Sequence, residues 1–207
     1  MADQPRQLTA PSHAAAHLLQ YHDLIESIVS ALDARDTYTA SHSNRVAEMV
    51  LVLAAALGLG PDETTLIHIA AHLHDIGKIA VPDAVLRKAG PLTADEWQEM
   101  RRHPVTGYNI LRRVADFQDI AVLVLHHHER WDGQGYPDGL SGADIPLGSR
   151  IIAVADSIDA MMSSRSYRTA MTGAACRCEI EKNSGIMYDP RVASAAPVSY
   201  THLRAHE

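Results

Sequence analysis

The feature that most limits the fold of this chain is the recurrence of apolar residues at helical spacing. In residues 17–35, apolar side chains such as Leu24, Ile25 and Ile28 return every three or four positions. This period places them on one face of an α-helix, which must pack against a core. No segment alternates in the way that is typical of a strand, and no internal repeat is present. We therefore predict an all-α fold, a helical bundle of about seven to eight helices.

Start and stop signals divide the rest of the chain into further helices. Gly60 followed by Pro61 predicts a helix start, and Thr93 followed by Glu96 predicts a capping box. Residues 77–90 are rich in helix breakers, whereas residues 130–148 are predicted to form a long ordered loop, which in a compact domain is usually functional. The predicted helices cover residues 39–57, 61–75, 93–103, 104–114, 117–127, 149–163 and 172–183.

The composition predicts one folded domain. Hydrophobic residues make up 46% of the chain and charged residues 21%, which is ordinary for a globular domain. We assign this domain to residues 17–195. Residues 1–16 are interpreted as a linker or the remnant of an upstream domain. Residues 196–207 resemble translated sequencing-adaptor sequence and are interpreted as a non-native tail.

The charge excludes one class of partner. A formal net charge of -7 without a block of Lys and Arg argues against binding of long nucleic acid, although a small anionic ligand needs only a few local cations. The chain also lacks an apolar run of membrane length and a signal peptide. We therefore expect no membrane association for this chain and a cytoplasmic location.

Most of the 13 histidines fall in short clusters. The strongest signal is His74-Asp75 at the end of an apolar helix, followed by Lys78. Taken alone, a His-Asp pair is more often a helix end where an imidazole meets free carbonyl groups. Further motifs shift the balance towards a metal site. They are His42, His103, the run His126–His128 before Glu129, and Asp156.

Imidazole and carboxylate ligands together predict transition metals. They suit Mn, Fe, Zn or Co, whereas Mg prefers oxygen ligands and keeps its water. The chain offers more ligands than one ion needs, so we expect two ions. Two ions that share a carboxylate activate water at neutral pH and hold the attacking and leaving oxygens of a phosphoryl group. This chemistry favours hydrolysis of a phosphodiester.

Taken together, these motifs resemble the HD-GYP family. The resemblance rests on the run HDIGK at residues 74–78, on the spaced histidines and on HERWDGQGYP at residues 128–137, and it covers roughly residues 21–194. It implies the helical bundle of the HD superfamily. The Gly135-Tyr136-Pro137 turn is set by the dihedral freedom of Gly and the fixed φ of Pro. The resemblance implies that it shapes substrate access or contacts a partner, with a purely structural turn as the equally weighted alternative.

The resemblance implies a centre with two divalent metal ions. Asp75 would bridge the ions, and Lys78 would contact the scissile phosphate, so both are the expected catalytic residues. Fe or Mn is the expected metal, with Zn, Co and Ni as alternatives. Tyr38 stands where family members can carry a Glu that supports a third ion, which favours two. The implied metal ligands are His42, His74, Asp75, His103, His127, His128 and Asp156.

The resemblance also implies contacts with a dinucleotide. Arg165 and Arg168 would hold phosphates through their planar guanidinium groups. Asp36 and Asp159 would accept hydrogen bonds from the guanine edge, with a solvated helix end as the equally weighted alternative. The implied substrate-binding residues are Asp36, Lys78, Asp159, Ala160, Arg165 and Arg168.

The leading functional hypothesis is hydrolysis of cyclic di-GMP to linear pGpG in bacterial second-messenger signalling, and the sequence leaves open whether a second cleavage to GMP follows. A second hypothesis keeps the enzyme but changes the substrate to another nucleotide or cyclic dinucleotide. A third is a non-catalytic module that binds the dinucleotide or a partner protein. The family also suggests a homodimer and an upstream receiver or sensor domain.

Three further histidines match no ligand of the family. His68 and His72 have the i, i+4 spacing of a helical metal site, but a packing role is the favoured interpretation. His126 is left out of the ligand set, because consecutive helical residues diverge by about 100° and three in a row cannot face one ion.

Overall fold

The computed structural model describes residue 18 and residues 20–35, 42–163 and 170–196. Within these ranges the protein is helical and contains no β-strand, apart from an isolated bridge between Ser184 and Tyr188. The all-α prediction is therefore confirmed. No helix in the described ranges is long and apolar enough to cross a membrane. The predicted linker at residues 1–16 and the predicted tail at residues 197–207 lie outside these ranges.

Eight of the α-helices in the described residues have seven or more residues, which agrees with the expected number. Short 3₁₀ helices at Ile76–Ala80, Ala115–Phe117 and Gly142–Asp144 connect them. The α-helices are α1 (His22–Asp33), α2 (His42–Leu57), α3 (Pro61–Leu73), α4 (Asp83–Leu86), α5 (Ala94–Met100), α6 (His103–Leu111), α7 (Gln118–Leu125), α8 (Leu147–Met162), α9 (Gly173–Lys182) and α10 (Pro190–Ala195).

The core forms where α2, α3, α7 and α8 pack together. Leu53, Ile69, Ile120 and Ile152, one from each of these helices, have no exposed surface. Burying a side chain of this size contributes roughly 1.5–3 kcal/mol to the free energy of unfolding. A Cβ at Gly148 would lie only 2.7 Å from Leu123 Cδ1, so the missing side chain lets α8 lie close to α7. The four helices form the frame on which the histidine motifs are mounted.

The end of α3 differs from the prediction. The helix ends at Leu73, whereas we expected it to reach Asp75, and the chain turns there into the 3₁₀ helix Ile76–Ala80. A Cβ at Gly77 would lie 1.9 Å from the carbonyl oxygen of His103. The absence of this atom allows the 3₁₀ helix to pack directly on α6. This contact fixes the position of the chain just after the His-Asp pair.

Two short helices were not predicted. The first, α4, lies in the stretch we expected to be free of helix, and its Val85 and Leu86 pack on Val81 in a small apolar cluster. The second, α10, begins with a proline, and Asp189 caps it by accepting a hydrogen bond from the backbone N–H of Arg191 at 2.7 Å. Tertiary burial decides elements this short, because helices of four to six residues are unstable alone.

The capping box at α5 is confirmed. Thr93 Oγ1 accepts a hydrogen bond from the backbone N–H of Glu96 at 3.3 Å, and Glu96 Oε2 accepts one from the backbone N–H of Thr93 at 2.7 Å. The predicted long loop is also present, with one 3₁₀ turn inside it. The buried Glu129 anchors this loop through Oε1, which accepts hydrogen bonds from the backbone N–H groups of Asp138 and Gly139 at 2.8 and 3.0 Å.

Candidate metal centre

Three histidines beside helix ends share one local hydrogen bond. In each, Nδ1 lies within bonding distance of the carbonyl oxygen three residues earlier, and since a carbonyl can only accept, Nδ1 must donate. The last carbonyls of a helix have no partner within the helix, so they are available for this role. The lone pair of each imidazole is therefore on Nε2. The pairs are His74 with Ala71 (2.7 Å), His103 with Met100 (2.8 Å) and His127 with Val124 (2.6 Å).

The three Nε2 atoms converge around Asp75. His103 Nε2 lies 3.3 Å from His127 Nε2 and 3.3 Å from Asp75 Oδ1. On the other side, His74 Nε2 lies 3.4 Å from Asp75 Oδ2. All four side chains are buried, and His74 Nε2 has no hydrogen-bond partner among the described residues. The two oxygens of Asp75 thus face different histidines, which is the arrangement that a bridging carboxylate needs.

His42 and Asp156 form the opposite wall. His42 Nε2 lies 3.3 Å from Asp156 Oδ1, and His42 Nδ1 donates to Asp159 Oδ2 at 2.6 Å. Arg45 Nε donates to Asp159 Oδ1 at 2.5 Å, so both oxygens of Asp159 already accept hydrogen bonds. A carboxylate behind an imidazole fixes the ring orientation and makes the far nitrogen a better ligand. Asp159 therefore holds His42 in place.

The loop after α7 covers His128. The centroid of the Tyr136 ring lies 4.9 Å from that of His128, with 30° between the planes, and the backbone N–H of Tyr136 donates to the carbonyl oxygen of His128 at 3.2 Å. The guanidinium carbon of Arg101 lies 5.3 Å from the centre of the Tyr136 ring. Tyr136 thus packs against His128, one of the predicted ligands, in addition to its predicted place in a turn.

Gly135 is required for a different reason from the one we expected. Its φ is not among the positive values found in the described glycines, so dihedral freedom does not explain it. A Cβ would lie 2.3 Å from the backbone nitrogen of Arg130 and 2.5 Å from the Cα of Glu129. The loop therefore folds back onto its own start through a gap that only Gly can occupy. The bond between Tyr136 and Pro137 is cis.

Lys78 lies on the 3₁₀ helix beside the cluster. Its Nζ lies 2.6 Å from Asp75 Oδ2, and it lines a cavity of about 660 Å³. Arg35 at the end of α1 holds this segment from behind, because its guanidinium donates to the carbonyl oxygens of Ile79 and Val81 at 2.5 and 2.7 Å. The position of Lys78 thus depends on α1 as well as on α3.

Burial and neighbouring charges set the protonation of the cluster. Burial lowers the pKa of His103, His127 and His128, that of His128 to about 3, so these imidazoles are neutral at pH 7. Burial alone would raise the pKa of Asp75, but the charge of Lys78 and the nearby histidines lower it well below its usual range. Burial would likewise lower the pKa of His42, yet its hydrogen bonds with the carboxylates of Asp156 and Asp159 raise it to about 10.

These residues fit divalent metal ions. The neutral imidazoles of His103 and His127, each with its tautomer fixed, and the ionised carboxylate of Asp75 are donors that suit transition metals, and the partnerless Nε2 of His74 lies 3.4 Å from that carboxylate. Two groups bring one ligand atom from each member within 4.8 Å of the others, which matches the expectation of two ions. The groups are His103, His127 and His128, and His42, His74 and Asp75.

The structure brings all the predicted ligands together. Lys78, Asp159 and Ala160 line the same cavity. Asp36, Tyr38, Arg165 and Arg168 lie outside the described residues. Sequence reasoning missed Arg45, although its position three residues after His42 on the same helical face was a usable signal. It also missed Arg35 and the anchoring role of Glu129, which depend on contacts that no local pattern reveals.

A family model and the sequences of known proteins both relate this chain to HD domain phosphodiesterases. The family model described as HD domain matches residues 23–192. The chain is 43% identical over 175 residues to the cyclic di-GMP phosphodiesterase response regulator RpfG of Xanthomonas campestris, covering 84% of this chain and 46% of that protein. It is 39% identical over 172 residues to the 3'3'-cGAMP-specific phosphodiesterase 2 of Vibrio cholerae, covering 82% and 33%. The chain thus spans less than half the length of these two relatives.

Solved structures share the fold. The HD domain of the phosphodiesterase PgpH from L. monocytogenes aligns with a TM-score of 0.62 at 18% identity, covering 86% of this chain and 98% of that one. The cyclic GMP-AMP specific phosphodiesterase V-cGAP3 of V. cholerae aligns with a TM-score of 0.56 at 30% identity, covering 90% and 41%. The predicted helical bundle of this superfamily is confirmed.

Proposed function

Because this chain belongs to the HD domain family, we propose that it is a metal-dependent phosphodiesterase that hydrolyses cyclic di-GMP to linear pGpG and then to GMP. The observation that carries the proposal is the convergence of the imidazoles of His74, His103 and His127 on Asp75, next to Lys78. The 43% identity to RpfG supports the choice of substrate.

Each group in the centre has a role in this proposal. Two divalent ions held there would supply an activated water and stabilise the charge on the phosphoryl oxygens. Fe or Mn is the proposed metal, with Zn, Co and Ni as alternatives. Asp75 would place the ions side by side through its two oxygens. The ammonium group of Lys78 would donate hydrogen bonds to the scissile phosphate while its contact with Asp75 fixes its position.

The cavity suits a ligand that carries both phosphates and bases. Its volume of about 660 Å³ is within the usual range for small-molecule sites. Its lining includes predicted metal ligands and Lys78 as well as the apolar side chains of Leu92, Trp97 and Met100. The exposed face of Trp97 would stack on a base, as aromatic side chains do in other nucleotide sites. The contacts proposed for Asp36, Arg165 and Arg168 stay predictions from the sequence.

We assign Asp159 to a positioning role in preference to a guanine contact. Its carboxylate is only 3% exposed, and its oxygens accept hydrogen bonds from His42 and Arg45. The group would act on the ligand His42 and through it on the metal. Ala160, next in the chain and partly exposed in the cavity, remains a proposed substrate contact.

The test is direct. The protein is purified without oxygen, loaded with Mn or Fe and incubated with cyclic di-GMP, and the products are separated by chromatography. We expect pGpG and GMP from the wild type and from Asp95→Asn, a control on the exposed start of α5. Asp75→Asn is expected to yield neither. Bound metal with intact cyclic di-GMP in the wild type would contradict the proposal and favour the non-catalytic module.

A second candidate substrate is 3'3'-cGAMP. It is favoured by the 39% identity to a phosphodiesterase specific for that dinucleotide. The two substrates differ in one base, so kcat/KM for each, measured under the same metal, separates them. A value for 3'3'-cGAMP more than about tenfold higher, a difference of 1.4 kcal/mol, would replace cyclic di-GMP as the proposed substrate.

Three features of the whole protein are also proposed. An upstream receiver domain is proposed because RpfG is a response regulator of about twice the matched length. A homodimer and a cytoplasmic location remain predictions from the sequence and its family.

A further inference from the structure

A second histidine cluster lies between α1 and α3, outside the cavity. His22 belongs to α1, and His68 and His72 belong to α3. The ring centroids are 4.7 Å apart for His68 and His72, 5.2 Å for His22 and His72, and 5.7 Å for His22 and His68. One nitrogen from each ring lies within 4.8 Å of the other two. Three imidazoles from two helices therefore lie together, each with one nitrogen near the other two.

The geometry of the pair on α3 is that of two ligands on one ion. His68 Nδ1 donates to the carbonyl oxygen of Ala47 at 3.1 Å, which leaves the lone pair of His68 on Nε2. His72 Nε2 lies 3.3 Å from that atom. Two nitrogens at about 2.05 Å from a tetrahedral Zn²⁺ are about 3.3 Å apart. The observed separation thus needs no adjustment to accept the ion.

Hydrogen bonds within the described part of the protein account for only one of the two ring nitrogens of His72. The side chain is 4% exposed, and its Nδ1 is buried without a hydrogen-bond partner among those residues. Buried polar groups are nearly always bonded, and an exception calls for an ion, a water or a functional reason. An ion would bind Nε2, the nitrogen that faces His68, and would replace one hydrogen bond between two imidazoles with a metal bond to each ring.

We propose that His22, His68 and His72 bind a zinc ion that is separate from the candidate metal centre. The ligand set is all nitrogen, whereas the metal centre mixes imidazoles with carboxylates, so Zn²⁺, Co²⁺ or Ni²⁺ suits it better than Mn²⁺. His22 is partly exposed, which leaves an entry path. Glu26 Oε1 lies 4.0 Å from His22 Nδ1 and would share the remaining position with water.

Such an ion would tie α1 to α3. The C-terminal end of α3 leads directly into His74 and Asp75, and the C-terminal end of α1 carries Arg35, which holds the segment of Lys78. Zinc in this site would therefore stabilise the two helices that frame one side of the cavity. The proposal does not depend on the reaction proposed above, because it requires only that the ion binds.

The test is zinc stoichiometry on the full chain. Wild-type protein and variants are dialysed to equilibrium against buffered Zn²⁺, and bound metal is measured by mass spectrometry. We expect His22→Ala and His68→Asn to bind about one ion fewer per chain than the wild type. Ser30→Ala, an exposed change on α1, is the matched control and should bind the wild-type amount. Circular dichroism confirms that each variant is folded.

A second readout separates the site from the metal centre. With Co²⁺ as the probe, a three-histidine tetrahedral site absorbs strongly in the visible, and we expect His22→Ala to lose this absorption while it keeps hydrolytic activity with Mn²⁺. Equal zinc content in the wild type, His22→Ala and His68→Asn would overturn the proposal and leave the three histidines as packed side chains.

Discussion

The two histidine clusters of this protein are built in different ways. In the candidate metal centre, His74, His103 and His127 lie beside helix ends, where free carbonyls fix their Nδ1 protons. In the cluster between α1 and α3, His68 and His72 lie inside a helix, where the carbonyls of their own helix are already used. Only His68 finds a carbonyl, and it belongs to α2.

The difference shows what prepares an imidazole for a metal. At a helix end, the backbone orients the ring and selects the tautomer, so three rings from distant parts of the chain present the same nitrogen. Inside a helix, the spacing aligns the rings, but the tautomer depends on neighbouring helices. We therefore expect substitutions in the candidate metal centre to lower hydrolysis strongly, and substitutions in the cluster between α1 and α3 to affect it less.

The largest effect should follow from His127→Ala. This change removes a buried ligand, and we expect hydrolysis to fall by about 10³-fold, since a metal contributes several kcal/mol to the transition state. The neighbouring His126→Ala is the control. Its Nε2 lies 3.0 Å from the exposed carboxylate of Asp138 and belongs to neither ligand group of the candidate metal centre, so we expect a loss of less than about fivefold. Similar losses of activity in both variants would contradict the assignment of His127, but not His126, to the ligand set.

Gly77→Ala should destabilise the fold. The added Cβ would overlap the carbonyl oxygen of His103, and forcing the 3₁₀ helix away from α6 should cost about 3 kcal/mol or more. For a domain of this size, the Tm should fall by roughly 10 °C in a thermal unfolding scan. The control is Gly90→Ala, where a Cβ meets nothing within 4 Å, and its Tm should change little.

Asp159→Asn tests how His42 is held. If the carboxylate positions His42, the Mn²⁺ concentration for half-maximal activity should rise about 10- to 100-fold, and excess metal should restore kcat. Ser163→Ala, which removes only long hydrogen bonds of the hydroxyl with Arg45 (3.3 Å) and Asp159 (3.4 Å) and keeps the Asp159 carboxylate, should change this value far less. A higher KM for the dinucleotide with an unchanged metal requirement would instead support the original expectation that Asp159 contacts guanine.

Tyr136→Ala should lower kcat/KM by about fivefold. The ring packs over His128, and an aromatic contact of this kind contributes roughly 0.5–1.5 kcal/mol. Tyr136→Phe keeps the ring and should retain nearly full activity. A loss as large in Tyr136→Phe would show that the hydroxyl matters and the ring contact does not.

The smallest effect should come from His22→Ala. Neither His22 nor its cluster lines the cavity, so hydrolysis with saturating Mn²⁺ should stay within about twofold of the wild type. The check is kcat and KM of His22→Ala, measured in the same assay as those of His127→Ala and the wild type. A loss above about tenfold would mean that the two clusters are coupled through α3.

Local sequence patterns predicted much of the candidate site. The His-Asp pair at a helix end, the capping box at Thr93 and the long ordered loop were predictable, because each depends on residues close in sequence. The extent of α3 was overpredicted by two residues, since its apolar pattern continues past the point where Gly77 lets the chain turn onto α6. The short helices α4 and α10 were missed because their stability comes from burial.

The sequence by itself determined the helical class and the family and predicted the set of metal ligands, since periodicity, ligand type and motif order can all be seen along the chain. Only the tertiary structure decided that Asp159 lies behind His42, that Arg35 supports the segment of Lys78, and that His22 meets His68 and His72. These contacts join residues far apart in sequence or on different helices. Their distances are set by how buried helix faces pack, which no local pattern specifies.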